Sequence, residues 1–122
     1  MPDFEKLAAW KAAHQLALAA YGLAKLLPLE ERFGLSDQMR RCASFIPVNV
    51  ADGHSRGSDK EFAYFIRVAL GSAGELQSLM LLARDLGYID CARLTDFWPQ
   101  AAETIRMLKG LHRRVREDIR KS

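Results

Sequence analysis

Between Phe62 and Ala83 the apolar residues Phe62, Phe65, Ile66, Ala69, Ala73, Leu76, Met80 and Ala83 recur every three or four positions. That spacing puts them on one side of an α-helix; a strand would need a repeat of two. Three further blocks keep the same period. Phe4, Leu7, Trp10, His14, Ala17, Tyr21 and Ala24 form the first stripe, and Leu16, Leu18, Leu23 and Leu26 widen it. Leu35, Met39, Cys42, Ala43, Ile46 and Val50 form the second. Leu94, Trp98, Ala101, Ile105, Leu108, Val115 and Ile119 form the last, with Leu111 beside them. Alanine and leucine dominate the apolar residues and β-branched residues are scarce, which favours helix over sheet. The expected fold is all-α, an antiparallel up-down-up-down four-helix bundle filling one domain over residues 1–122. A chain of this length buries enough surface to fold without a disulfide or metal staple.

Punctuation residues set the boundaries. Asp3 is the expected N-cap of the first helix and Pro28 its end, since proline breaks the hydrogen-bond ladder. The second helix is expected near Leu35, with Ser36 as cap, a kink between Ala43 and Pro47, and a stop at Gly53. Ser58 and Glu61 make a capping box for the third helix, which Gly87 closes. Asp90 caps the fourth, and Pro99 is expected to bend or restart it. Two features call for neighbours beyond one bundle. The first helix is apolar on two sides, and Gly71, Ser72, Ala73 and Gly74 form a small-residue patch open to close backbone approach.

The net charge of +3 is unevenly spread. Residues 106–122 carry Arg106, Lys109, Arg113, Arg114, Arg116, Arg120 and Lys121 against Glu117 and Asp118, a net of +5, whereas residues 1–105 sum to −2. Such a block attracts polyanions. It reads equally well as a solvated helix C-terminus, where cations complement the helix dipole. No aromatic interleaves the tail, so base stacking is not expected there. The N-terminus has Asp3, Glu5 and Lys6 with no apolar core behind them, so no secretory signal is expected. The charge-free run from Ala12 to Ala24 is too short and polar to span a bilayer. Cys42 and Cys91 form no CxxC pair and fit free thiols in a reducing cytoplasm, although spacing alone leaves a bridge between them open.

Catalytic patterns are missing. His14, His54 and His112 have no metal-ligand spacing, and no HExxH or paired ExxH motif is present. His14 is expected to be packed and hydrogen-bonded at the edge of the core. Ser44, Ser55, Ser58 and Ser72 lack a GxSxG context, Cys42 lies on a buried face, and Cys91 has no histidine near it in sequence. The stretch GHSRGSDK departs from the phosphate-loop order and follows no strand, so it reads as a helix connection. No catalytic residue, cofactor or metal is expected. Arg40, Ser44, Asn49, Asp52, Ser72 and Glu75 are the remaining polar candidates. If the second and third helices pair about residues 55–56, Arg40 faces the Ser72–Glu75 turn and an Arg40–Glu75 salt bridge is expected. Ser44, Asn49, Asp52, Ser72 and Glu75 then form a structural polar network, with Asn49 and Asp52 tying down the 53–58 backbone. A small-molecule or enzymatic site among these residues is the alternative.

Three stretches carry a family likeness: FEKLAAWKAAHQLALAAYGLAKLLP, with its F-x-x-L-x-x-W start; ERFGLSDQMRRCASFIPVNVADGHSRGSDKEFAYFIRVALGSAGEL; and LLARDLGYI. Over residues 4–90 they resemble the bacterial four-helix-bundle proteins encoded within intervening sequences of 23S ribosomal RNA. The accessory variability determinant of diversity-generating retroelements is a relative of that family. The resemblance implies a ring-shaped homopentamer without known enzymatic activity. It also implies basic surfaces that, in the retroelement relatives, bind nucleic acid together with a reverse transcriptase. The recurring motif positions here are Arg40, Arg41, Ser44, Pro47, Asn49, Gly53, Gly71, Ser72 and Glu75. Asp52 stands where the family usually has Glu, and Pro99 interrupts a helix expected to be continuous.

The functional expectation is a non-enzymatic, cytoplasmic homo-oligomer that binds RNA or DNA through Arg40, Arg41, Lys109, Arg113, Arg114, Arg116 and Arg120. Its partners are further copies of itself, a nucleic acid, and a reverse transcriptase or other protein, with no membrane. The alternative is a protein-interaction scaffold that binds no nucleic acid.

Overall fold

The computed structural model describes residues 3–122. Four α-helices account for most of them: α1 (Ala8–Ala24), α2 (Leu35–Ser55), α3 (Asp59–Asp85) and α4 (Cys91–Lys121). Short 3₁₀ turns at Asp3–Lys6 and Leu29–Glu31 precede α1 and α2, and no strand occurs among the described residues.

The ends of the helices show which expected caps form. Asp3 starts a 3₁₀ turn, and the helix proper begins only after Leu7. At α2 the cap is the Glu31 carboxylate, which accepts from the Leu35 N–H at 3.2 Å; its other oxygen accepts from the Tyr88 hydroxyl at 3.1 Å. Ser36 is buried, and its Oγ donates to the Ala24 carbonyl at 3.3 Å, one of the acceptors that the end of α1 leaves open. Ser58 Oγ accepts from the Glu61 N–H at 3.4 Å, so half of the expected capping box forms. The Glu61 carboxylate goes to Arg56 instead. Gly87, at φ +82°, closes α3 as its neighbours donate back: its own N–H to Arg84 O and that of Tyr88 to Ala83 O, each at 2.9 Å. Asp90 caps α4 through the Arg93 N–H at 2.8 Å.

Neither proline ends its helix. α2 runs through Pro47 and α4 through Pro99 without a break. Pro99 and Thr95 are both exposed, so the carbonyl left without its helical donor faces solvent. Gly53 does not stop α2 either. It is buried where α2 crosses α3, and a Cβ there would lie 2.7 Å from Phe65 Cβ and 3.3 Å from Phe62 Cα.

Leu16, Met39, Ile46, Val50, Ile66, Leu76, Met80, Ile89, Thr104 and Leu108 form the fully buried centre. The α2 stripe is buried as its period requires, and so is the α3 stripe apart from half-buried Phe65. α1 turns a different side inward. Its buried residues are Ala9, Ala13, Leu16, Ala17, Ala20 and Ala24. The alanines let the helix sit close to its neighbours, while Tyr21 and Leu18 remain exposed. His14 is consequently at the surface, stacked on the Trp10 ring at 4.7 Å between centroids. Truncating a side chain such as Leu76 would cost about 2–5 kcal/mol, since the cavity left cannot fully collapse.

α1 lies beside α2 and α4, and α3 lies beside α2 and α4, so α2 and α4 stand diagonally opposite. Gly53, late in α2, meets Phe62, early in α3, and Cys42, in the first half of α2, meets Ser72 at the middle of α3. These contacts pair the helices about Gly57–Ser58 rather than residues 55–56. α3 is long and apolar enough to cross a membrane by length and composition, but here it packs against α2 and α4.

Candidate nucleic-acid interface

Helical spacing puts Lys109, Arg113, Arg116 and Arg120 along one side of α4, and with His112 and Glu117 they line a groove of about 270 Å³. A second groove, of about 410 Å³, adjoins it through the shared His112 and Arg116. Its other wall is the first half of α3, where Lys60, Ala63, Tyr64 and Arg67 stand at helical i, i+3, i+4 and i+7 positions. Ala63 is buried and Ile119 half-buried, whereas Lys60, Tyr64 and Arg67 are exposed. Burial, followed by the Arg116 and Arg67 charges, holds the His112 imidazole below its ordinary pKa.

Glu117 lines the first groove, yet among the described residues none of the groove's cations forms a salt bridge with it. Lys11, Lys25, Arg32 and Lys121 are likewise unbridged but do not line either groove. Among the described residues Lys60, Arg67, Lys109, Arg113, Arg114, Arg116 and Arg120 make no salt bridge, whereas Arg40, Arg41, Arg84, Arg93 and Arg106 each make one and Arg56 makes two. The cluster therefore keeps its field for an external anion. Arg114 lies outside both grooves, over Gly110.

Arg40 and Arg41 do not join this cluster. They sit on α2, diagonally across from α4, and both face Asp37, at 3.7 and 3.6 Å. Arg40 also donates to the Arg32 carbonyl at 3.1 Å. The expected Arg40–Glu75 bridge does not form: Arg40 turns to Asp37 and the Arg32 carbonyl, and Cys42 is the α2 side chain that reaches the Ser72–Glu75 turn. Cys42 Sγ donates to Ser72 O at 2.9 Å and lies 3.6 Å from Glu75 Oε2. Burial first, then the Glu75 charge, pushes the thiol pKa up to about 12. Cys91 is exposed and both cysteines are free.

The expected polar network separates into local contacts. Ser44 Oγ donates to Arg41 O and Asn49 Nδ2 to Phe45 O, each within its own helix. Asp52 holds the Arg56 side chain at 3.0 Å rather than the 53–58 backbone. Among the described residues, Cys42 supplies the hydrogen bonds that link Ser72 and Glu75 to α2. Polar side chains on a helix find the backbone of their own previous turn first, so no shared network is required. The depression beside Cys42 is lined by Gln38, Arg41, Phe45, Glu75, Ser78 and Leu79, with neither Asn49 nor Asp52.

Lys60, Tyr64, Arg67 and His112 are the groove residues that sequence reasoning missed. Their helical spacing on α3 was visible, but that this side of α3 meets the α4 tail depends on how the helices pack.

A long helical bundle with an unpaired cationic face at one helix pair is the class these features define. A family model described as 23S rRNA-intervening sequence protein matches residues 5–110, and the chain belongs to that family. Lys60, Tyr64, Arg67 and Lys109 fall within the match; His112, Arg113, Arg116 and Arg120 lie beyond it. A crystal structure of a protein of unknown function from the S23 ribosomal protein family of Bacteroides thetaiotaomicron VPI-5482 has the same fold. Its TM-score is 0.79 at 21% identity, over 86% of this chain and 95% of that one. No curated protein matches the chain.

Proposed function

We propose that this chain is a non-enzymatic, homo-oligomeric, antiparallel up-down-up-down bundle in the cytoplasm that binds RNA or DNA through the α4 tail and the adjoining part of α3. The carrying observation is the cluster of cations without acidic partners on α3 and α4. Such a surface attracts phosphates irrespective of sequence, and binding falls steeply with salt as counterions are released.

Self-association is supported by Leu18, Phe45 and Val48, which are about half exposed, and by Gly71 and Gly74, which have no atom within 4 Å of where a Cβ would stand. Phe45 and Val48 stand one turn apart on α2, and large apolar side chains left bare in this way are candidates for cover by a second copy. The family likeness suggests five copies in a ring, and the retroelement relation suggests a reverse transcriptase as a protein partner.

A gel-shift titration against RNA and DNA at two salt concentrations tests nucleic-acid binding, and sedimentation tests the mass. No shift with either nucleic acid at low salt rejects the binding reading. A partner recovered from nuclease-treated lysate in its place supports the scaffold alternative.

A further inference from the structure

We propose that the α3–α4 groove takes a single strand, with one base stacked on Tyr64 and its flanking phosphates held by Lys60, Arg67 and Arg116. The inference rests on the nucleic-acid reading above and adds the form of the ligand.

The tail alone has no aromatic residue, which argues against stacking. The packing of α3 on α4 supplies one. Tyr64 is 61% exposed; Phe33, Phe45 and Tyr21 are exposed as well, but of these rings Tyr64 alone lines the cationic groove. Lys60 stands one turn before it on α3 and Arg67 one turn after, while His112 and Arg116 face it from α4. Beneath them, Ala63 and Ile119 give the groove an apolar floor. A cationic rim around an exposed ring and an apolar floor matches the chemistry of a nucleotide, which pairs a phosphate with a flat apolar face. An acidic peptide would satisfy the rim and leave the ring unused. A duplex offers phosphates but keeps its base faces stacked inside, so the aromatic contact selects single strands. The ring is indifferent to base identity, because every base has a π-face.

Anisotropy of labelled oligothymidylate, oligouridylate and a short duplex, titrated with the full chain, tests this. The expected result is tighter binding of the single strands than of the duplex at equal salt. Tyr64→Ala should weaken single-strand binding by about 5- to 150-fold, the range for losing one stacked base, and leave duplex binding almost unchanged. Tyr64→Phe keeps the ring and should restore the affinity. Arg67→Gln should flatten the salt slope on single strands by about 0.7. The two oligonucleotides distinguish RNA from DNA, and a preference for either supports the proposal. Equal affinity for single strands and duplex, untouched by Tyr64→Ala, overturns the stacking site while the nucleic-acid reading stands. No binding to any of the three at low salt overturns both, as does binding only to polyglutamate or anionic vesicles. Far-UV circular dichroism confirms that the variants fold, and Tyr64, being exposed, should be dispensable for folding.

Discussion

Replacing Gly53 with alanine tests the closest approach of α2 and α3. The new Cβ would lie 2.7 Å from Phe65 Cβ, 3.2 Å from Phe62 Cδ1 and 3.3 Å from Phe62 Cα. Two of those atoms are fixed to the α3 backbone, so no rotamer change relieves the overlap and the helices must separate. Overpacking of this kind costs about 1–3 kcal/mol. The gain in helix propensity returns about 1 kcal/mol. The difference is a net loss of about 0–2 kcal/mol, expected toward the upper end because the nearest atom cannot turn away. Gly71→Ala and Gly74→Ala are the controls. Both sites are in mid-helix with nothing within 4 Å, so the propensity term acts alone and the protomer should gain about 1 kcal/mol from either. For a domain of this size 1 kcal/mol corresponds to about 4 °C in Tm.

Urea unfolding followed by far-UV circular dichroism, at a dilution where sedimentation gives the mass of one chain, reads all three. A Gly53→Ala protein as stable as the parent would refute the tight crossing. Under the proposed self-association, a methyl group at Gly71 also intrudes on the neighbouring copy, so assembly should weaken while the protomer gains stability. A Gly71→Ala protomer that loses stability with its mass unchanged would refute the open surface.

Three further outcomes follow from the electrostatics and burial. If a strand contacts all six permanent groove cations, log K should fall with log[salt] at a slope of about −4, or roughly 300-fold between 50 and 200 mM; a slope near zero would rule out phosphate contact. His112 is faced by Lys60 and Arg67 from α3 and by Lys109, Arg113, Arg116, Arg120 and Glu117 along α4, and burial first, then the Arg116 and Arg67 charges, holds its pKa down. Its contribution to stability is therefore complete above the unfolded value of about 6.5 and is lost as pH falls through the lower folded value. A bound phosphate favours the imidazolium, so nucleic-acid affinity should rise as pH falls below about 6.5, and His112→Gln should abolish that rise. Finally, a thiol reagent at pH 8 should modify Cys91 quickly and Cys42 only after unfolding, because burial and Glu75 keep the Cys42 thiol protonated. Two equally fast thiols in the native protein would contradict that burial.

The helices of this protein are written in local chemistry. The period of Phe62 to Ala83, the Ser58 and Asp90 caps and the Gly87 stop depend on residues within a turn or two of one another, so they are legible without any knowledge of the fold. The basic block of α4 is equally legible, since net charge needs only a count. The inward side of α1 was not, because its alanines earn their place through the close approach of neighbouring helices, and a periodic stripe of larger residues hides them.

Register was also decided by packing. The centre of the α2–α3 pairing lies about two residues further along than expected, which shifts opposite positions by about one helical turn; Cys42 reaches the Ser72–Glu75 turn, Arg40 turns to Asp37 and the expected network dissolves into local bonds. The same kind of long-range contact brings Tyr64, Lys60 and Arg67 to the α4 tail some fifty residues away in the chain. Sequence thus determined where the helices lie and how much charge each carries. Which charges keep partners, and which ring stands among those that do not, follows from interhelical packing, which no local pattern encodes.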